Sequence, residues 1–520
     1  MLHDAMRFNL GYLSARTAAV DPHRTAIIDH HNGIARTVSY SALEVRLNRV
    51  ASFLTGLGLV PGDRIALVIG NRLEFIEAMY GALRAGIVPV MVNTKLGLEG
   101  LALSMTGAEC AAAIVEPECN SSGIEAVDQA KLRHRILLGA AVHEGWLAYE
   151  ASVASAPAIF EPPTLGSNAL ADLCFTSGSS GTPKAVMASH RGLLMKLYVY
   201  ANVTRSLVDD QIRTLVALPI FHANGRLSIG SAFETGGLVV IQPRFDARMA
   251  LQHLANHCIT YFLGVAPAYM AMLKEVDLLD TLDFSSLKML FVGSAPSGGD
   301  VMPRIAAALK TKIVHTYGST EAGVVMQSPF NVAHDLASCG KPFPGNDVKI
   351  IDVVTGEPSN FGELLIRNEW LSSGYWNRPD LTADKFVDGW YRSGDLFERD
   401  SNGFYYVRGR IDEMFNVGGE KVYPAEVEGI LQQHPGVLSA CVAAVPHESK
   451  GHVPAAMVIS AHGVDVSEEE LKQFFLQRGP AYAHPRRVVF AQAFPLAHTG
   501  KVDRAKVKEL LSKEAAMRGT

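Results

Sequence analysis

Leu173-Cys174-Phe175-Thr176-Ser177-Gly178-Ser179-Ser180-Gly181-Thr182-Pro183-Lys184-Ala185-Val186-Met187 is the stretch from which the rest of the chain can be read. A mostly apolar run, 170–175, stops abruptly in hydroxyls and glycines; a lysine follows, and apolar residues resume. That is the layout of a strand that breaks into a phosphate-gripping loop. Glycines let backbone N–H groups close in on an anion. Thr176, Ser177, Ser179, Ser180 and Thr182 add hydroxyl donors, and Lys184 adds a positive charge. A flexible surface loop has the same composition, so this stretch alone leaves both readings open. The spacing is not G-x-x-x-x-G-K-[ST], and no Ser or Thr follows Lys184, which disfavours a P-loop nucleotidase.

On the N-terminal side, 40–57 carries a helical pattern in 41–51, with Ser41 as the expected cap and Glu44 completing a capping box. Pro61-Gly62-Asp63 predicts a turn, 64–69 a buried strand, 74–85 a helix ending at Gly86, and 88–92 a second strand. Strand, helix, strand with short links predicts βαβ units and a parallel sheet. The segment 151–168, rich in Ala, Pro and Ser, reads as a connector. Beyond the loop, strands are expected at 215–219, 238–241, 261–265, 289–292 and 313–316. Helices are expected at 247–258, 267–276 and 299–309, each starting at or just after Pro, Asp or Gly. Past Ser338 the short strands 348–352 and 363–367 predict a β-rich subdomain. After Arg410 a helix at 424–434, strands at 440–445 and 455–460, and a helix at 467–477 form a compact α+β unit. The fold class is α/β: a large N-terminal domain, 1–411, with parallel-type sheets flanked by helices plus the β-rich subdomain, and a small C-terminal domain, 412–520.

The 520 residues suffice for a large core, and 48% hydrophobic with 19% charged residues argues against disorder. A net charge of -5 gives no support for nucleic-acid binding. The six cysteines are scattered without a C-x-x-C pair, so neither zinc nor a disulfide framework is expected, and a reducing cytosol suits them. The N-terminus lacks a basic region followed by an apolar core, so no signal peptide is expected. No apolar run reaches the roughly 18 residues of a membrane span.

Four more clusters carry chemistry. In His315-Thr316-Tyr317-Gly318-Ser319-Thr320-Glu321-Ala322-Gly323, expected at the end of a strand, Tyr317 offers a flat face for a base. Thr320 offers a hydroxyl for phosphate, and Glu321 a carboxylate for Mg²⁺. Tyr391-Arg392-Ser393-Gly394-Asp395-Leu396 places in a turn a carboxylate able to bind both ribose hydroxyls. Gly409-Arg410-Ile411-Asp412-Glu413 precedes Val417-Gly418-Gly419-Glu420, and Thr499-Gly500-Lys501 lies near the C-terminus. Singly, each has a bland reading: Asp395 and Arg410 as a surface pair, Lys501 as a solvated lysine, Glu321 as a helix N-terminal charge. Their order and spacing together leave little room for coincidence.

The set resembles the adenylate-forming superfamily of acyl-CoA synthetases, peptide-synthetase adenylation domains and luciferases, over roughly residues 12–511. The resemblance implies an acid–thiol ligase that joins a carboxylic acid to AMP, releases pyrophosphate and passes the acyl group to CoA. ATP, Mg²⁺ and CoA are then its cofactors and co-substrates. It implies that the loop from Thr176 through Ser177, Gly178, Ser179, Ser180, Gly181 and Thr182 to Lys184 holds the β- and γ-phosphates. Tyr317, with Thr316 and Gly318, stacks on adenine beside Gly293-Ser294-Ala295-Pro296. Thr320 meets the α-phosphate, Glu321 holds the metal, and Asp395 binds ribose with Arg410 nearby. Lys501 bridges acid and α-phosphate. Asp412 is implied as the hinge about which the mobile C-terminal domain rotates, bringing Gly418, Gly419 and Glu420 to line the CoA tunnel.

The acyl pocket is implied at His222, Asn224, Gly293 and Gly318, which suits an aryl, short-chain or medium-chain acid. Asn224 and Arg226 are candidates for a polar substituent of that acid, unless Arg226 pairs with a structural carboxylate. Two departures stand out. Ala185 replaces the family's usual Gly after the loop lysine, and Ala483 stands where the family often has a lysine, with Arg486 and Arg487 as substitutes for gripping CoA phosphates. The second departure keeps open an alternative, a free-standing enzyme that loads a carrier protein. A luciferase-like oxygenase and a non-catalytic nucleotide-binding protein rank below both. A homo-oligomer is compatible with the sequence.

Overall fold

The computed structural model describes residues 8–139, 143–177, 183–208, 211–293, 301–330, 335, 337–447, 449–461, 464–495 and 502–518. Among these, the strands form four sheets. The first has seven strands, in the order Leu147–Ala148, His134–Leu137, Ala112–Val115, Arg64–Val68, Val88–Met91, Leu170–Ser177, Pro183–Ser189. All its pairings are parallel except the last, a hairpin that closes the edge. Its central strands read as unbroken apolar runs because both faces are covered. The second sheet has nine strands. Its parallel centre runs Lys312–Ser319, Met289–Val292, Tyr261–Gly264, Arg213–Val216, Leu238–Ile241, Thr25–His31, with antiparallel strands at either edge.

The two five-stranded sheets follow in the chain. One, built on Phe361–Arg367 and Trp390–Arg399, is the expected β-rich subdomain. The other, built on Val437–His447 and Gly451–Ser460, has a core of its own, including Val442, Val458, Leu471 and Phe475, with the helices Pro424–Leu431 and Glu468–Leu476 against it.

The helix Leu73–Arg84 lies buried along its whole length, although it carries Glu74, Glu77 and Arg84. Each charge is paired. Arg36 Nη1 lies 2.6 Å from Glu74 Oε1 and Arg72 Nε 2.6 Å from Glu74 Oε2, and Arg46 Nη2 lies 2.7 Å from Glu77. Arg84 has no exposed surface; it donates to the Gly11 carbonyl and Asn48 Oδ1, and lies 2.6 Å from Glu44. Gly81 lets the neighbouring helix Tyr40–Gly56 come close: a Cβ there would stand 2.4 Å from Val50 Cγ1.

Several sequence expectations shift. The helix Tyr40–Gly56 is capped by Ser39, whose side chain accepts from the Ala42 N–H, and not by Ser41; the Glu44 carboxylate is drawn away to Ser14 and Arg84. The connector begins after the helix Tyr149–Ser155. The single helix expected at 267–276 is two short ones, Ala266–Met272 and Val276–Thr281. The strand Lys312–Ser319 runs past Thr316 because Gly323–Gln327 folds back to pair with it. The helix His190–Val208 was not anticipated.

Removing Arg84 leaves the Gly11 carbonyl unpaired and strips the partly buried Glu44 carboxylate of its cation, so Arg84→Met should lower stability by about 3 kcal/mol in urea unfolding. Burial pushes Glu74 up, but the bonds from Arg36 and Arg72 bring it down to about 2. A depressed carboxyl contributes stability that is complete above its unfolded value and lost as pH falls through the folded one. Unfolding titrations should therefore show stability falling from about pH 4.5 towards 2, with a shallower fall in Glu74→Gln.

Candidate active site

In the nine-stranded sheet the carboxyl ends of four adjacent parallel strands face one edge. They deliver the segment after Val216, then Gly264, Gly293 and Thr316. Ligands of open α/β sheets bind beyond such ends. Gly293 and Thr316 are close enough that a Cβ on Gly293 would lie 2.9 Å from Thr316 Oγ1, which itself donates to the Val292 carbonyl. Gly318 is equally constrained, since a Cβ would fall 2.2 Å from the Gly323 carbonyl oxygen. The turn 320–322 then carries Thr320 and Glu321.

Lys184 comes from the other large sheet. In the hairpin Thr176 pairs with Lys184 and Ser177 with Pro183, at the edge of the sheet. The Lys184 Nζ reaches across to lie 3.6 Å from Glu321 Oε1. Between them stands Tyr375, which the sequence reading missed. Its hydroxyl accepts from Lys184 Nζ at 3.1 Å and donates to Glu321 Oε1 at 2.8 Å. The segment 372–376 runs beside Pro183–Ser189 with backbone bonds Trp376 N to Ala185 O, Met187 N to Gly374 O and Ser373 N to Met187 O. Ser372 N also bonds the Glu321 carbonyl, so one extended segment positions both sides of the contact. Burial and the neighbouring Glu321 push the Tyr375 phenol up, so it remains a hydrogen-bond donor at neutral pH. The sequence signal was faint: a Gly-Tyr-Trp run among turn residues.

A second constellation is continuous with the first sheet edge. The Tyr317 hydroxyl donates to Asp395 Oδ2, Arg410 Nη1 lies 2.7 Å from Asp395 Oδ1, and Arg410 Nε lies 3.0 Å from Asp412 Oδ1. Asp395 and Arg410 are direct partners across antiparallel strands. Gly394, at φ +72°, makes the bend; a Cβ there would be 3.0 Å from Arg410 Nη2. Burial pushes the Asp395 carboxyl up, and Arg410 and the Tyr317 hydroxyl oppose it. Each carboxylate oxygen keeps a second lone pair for a further donor.

His222 precedes the helix Ala223–Thr235, and Asn224 lines a small cavity with Leu218, Ser228 and Leu263. Arg226 pairs with the buried Asp172, the structural alternative noted from sequence. Lys196 was also missed. Burial, then Arg226, lowers its ammonium to about 8, and its Cδ would lie 2.8 Å from a Cβ on Gly323, just below the Glu321 turn. Ala185 is buried in the core, so its methyl is accommodated. Ala483 likewise faces the core of the C-terminal unit, and Arg487 pairs with Glu468.

Gly418 and Gly419, at φ +59° and +98°, form the two-residue turn between Phe415–Val417 and Glu420–Val422. That hairpin pairs with Gly451. Among the described residues no hydrogen bond or ion pair joins its tip to Glu321 or Lys184. Gly178, Ser179, Ser180, Gly181, Thr182, Ser294, Ala295, Pro296 and Lys501 lie outside the described residues.

One sheet edge thus gathers a lysine, a buried carboxylate, and an Asp–Arg pair beside a tyrosine. The model of AMP-binding enzymes matches residues 14–376, and that of their C-terminal domain matches 426–501. The chain belongs to the AMP-binding enzyme family. It is 32% identical to a feruloyl-CoA synthase of Amycolatopsis over 508 residues, 96% of this chain and 98% of that one. It is 29% identical to a long-chain-fatty-acid–CoA ligase of Mycobacterium tuberculosis over 514 residues, 97% of this chain and 99% of the other. Among solved structures, a benzoate CoA ligase from Burkholderia xenovorans superposes with a TM-score of 0.86 at 26% identity, covering 96% of this chain and 99% of that one.

In Tyr375→Phe, Lys184 and Glu321 lose the group that aligns them. Pyrophosphate release should fall about tenfold, near the worth of one charge-assisted hydrogen bond. An unchanged rate with intact folding would assign the hydroxyl to structure alone.

Proposed function

We propose that the protein is an ATP-dependent, AMP-forming carboxylate–CoA ligase acting on an aryl acid. The observation that carries the reading is the meeting of Lys184, Tyr375 and Glu321 beside the Tyr317–Asp395–Arg410 chain, at the edge where the strand ends converge. A carboxylate is a poor electrophile because its oxygen does not leave, and joining it to AMP supplies a leaving group. Bringing two anions together requires fixed cations and dipoles.

In this reading the loop from Thr176 to Lys184 grips the β- and γ-phosphates, and Lys184 supplies the charge. Tyr317, with Thr316, Gly318 and the segment Gly293-Ser294-Ala295-Pro296, holds adenine. Asp395 uses its free lone pairs for the ribose hydroxyls while Arg410 holds it in place. Thr320 meets the α-phosphate. Glu321 fits a magnesium ion: it is a lone buried carboxylate at a phosphate site, the donor type Mg²⁺ combines with phosphate oxygens. The ion would neutralise phosphate charge. Lys501 bridges the acid and the α-phosphate. The acid lies against His222, Asn224, Gly293 and Gly318. The aryl assignment is supported by the feruloyl-CoA synthase relationship along nearly the whole chain.

The chain divides at Asp412 into an AMP-binding domain, 1–411, and a mobile domain, 412–520. Rotation about Asp412 carries the Gly418-Gly419-Glu420 turn to the CoA tunnel and replaces one closed state by another, keeping water from the adenylate. Among the described residues no helix is long and apolar enough to cross a membrane. A cytoplasmic location is supported by six cysteines that all stand as free thiols.

The test is pyrophosphate release with ATP and Mg²⁺ across benzoates, cinnamates, dicarboxylates and short- to medium-chain fatty acids, with and without CoA. An aryl acid should turn over fastest and give AMP and a CoA thioester. ADP as product would end the ligase reading. Adenylate transferred to a carrier protein but not to CoA would replace the acceptor, and fastest turnover of a fatty acid would replace the substrate class.

A further inference from the structure

His30 is the penultimate residue of the strand Thr25–His31 and shares a face with Ile28, which packs against the core cluster that includes Leu251 and Leu254 of the helix Ala247–Asn256. That helix and its cap supply His253 and His257, four residues apart and therefore on one face. The three imidazoles converge. His30 Nε2 and His257 Nε2 are 3.0 Å apart, and the His30 and His253 ring centroids are 4.1 Å apart. One nitrogen from each ring can be chosen so that all three lie within 4.8 Å of one another. Among the described residues it is the one place where three side chains of metal-ligating type gather this way.

Two features are hard to explain as packing. A neutral imidazole has one donor and one acceptor nitrogen, so each ring calls for two partners. The His30–His257 contact engages one nitrogen of each and leaves His253 Nε2 buried without a partner, on a side chain only 7% exposed. A buried polar atom in that state calls for an explanation, an absent ion among them. The second feature is spacing. Nitrogens held about 2.0–2.1 Å from a tetrahedral ion are about 3.3 Å apart, so the trio, whose separations are at most 4.8 Å, would surround one by closing up to about 1.5 Å.

The geometry points to a binding site for a borderline transition-metal cation, Zn²⁺ being the type case, held by His30, His253 and His257. Three neutral nitrogens are the donor set such ions favour over Mg²⁺, which prefers oxygen. The fourth position is left to water, because His30 and His257 are each only partly buried. A bound ion would pin the helix Ala247–Asn256 to the strand Thr25–His31. It would be separate from the Glu321 site in both place and chemistry.

Zn²⁺ should be titrated calorimetrically into the full chain, prepared without a polyhistidine tag and stripped with chelator. One ion per chain is expected, together with a rise in unfolding temperature. His253→Gln and His257→Gln should each weaken binding by at least about tenfold. Co²⁺ in place of Zn²⁺ should give the visible absorption of a four-coordinate ion, lost in the same variants. The partly exposed His257 keeps the test decisive if the buried His253 variant misfolds. Cys258, an exposed thiol adjacent to His257, is the competing ligand, and Cys258→Ser should leave binding unchanged. No binding, binding undiminished in the histidine variants, or binding abolished by Cys258→Ser would each overturn the assignment.

Discussion

Lys184 and Glu321 belong to different sheets, and their approach through the Tyr375 hydroxyl is the contact on which the site depends. Neither charge could sit there unpaired: Glu321 is 6% exposed, and an isolated buried carboxylate is costly. The segment 372–376 solves this by bonding its backbone to the hairpin strand on one side and to the Glu321 carbonyl on the other. The separation of lysine and carboxylate is thus set by main-chain geometry and not by two flexible side chains finding each other.

Most of the scaffold was readable where one signal dominated. The strands Leu238–Ile241 and Met289–Val292 coincide with their expected ranges because each is a short apolar run buried on every residue. Lys184, Glu321, Asp395 and Arg410 could be picked out because each sits in a local motif, and the folded chain brings them together in two connected groups. Tyr375 and Lys196 could not, because what they do is defined by partners elsewhere in the chain: Tyr375 lies 191 residues from Lys184. The histidine cluster is hidden for the same reason, His257 lying 227 residues from His30. Ser39 displaced Ser41 as a cap because Glu44 had a stronger claim on it, the buried guanidinium of Arg84. The helix His190–Val208 was legible in principle, since Leu193, Leu197, Tyr200, Ala201, Thr204 and Val208 keep helical spacing.

Arg410 serves two carboxylates at once. Through Nη1 it holds Asp395, and through Nε it holds Asp412. Burial opposes its charge, and the two acids more than compensate, so the guanidinium stays firmly protonated. Tyr317 completes the line from the sheet edge to the short turn Ile411–Glu413. Next to Asp412 in the chain, Glu413 meets Arg504, which also holds Glu428. Charged pairs therefore run on both sides of Asp412, and of these only the Arg410–Asp412 contact joins residues before and after that point.

The thiols differ in chemical availability. Burial pushes Cys110, Cys119, Cys339 and Cys441 up to about 12 and raises Cys174 as well, so all five stay protonated and unreactive near neutrality. Cys258 alone of the six is exposed. A maleimide dye would accordingly attach first at Cys258. The unaltered chain thus offers a ready point of attachment for fluorescence, one residue from His257.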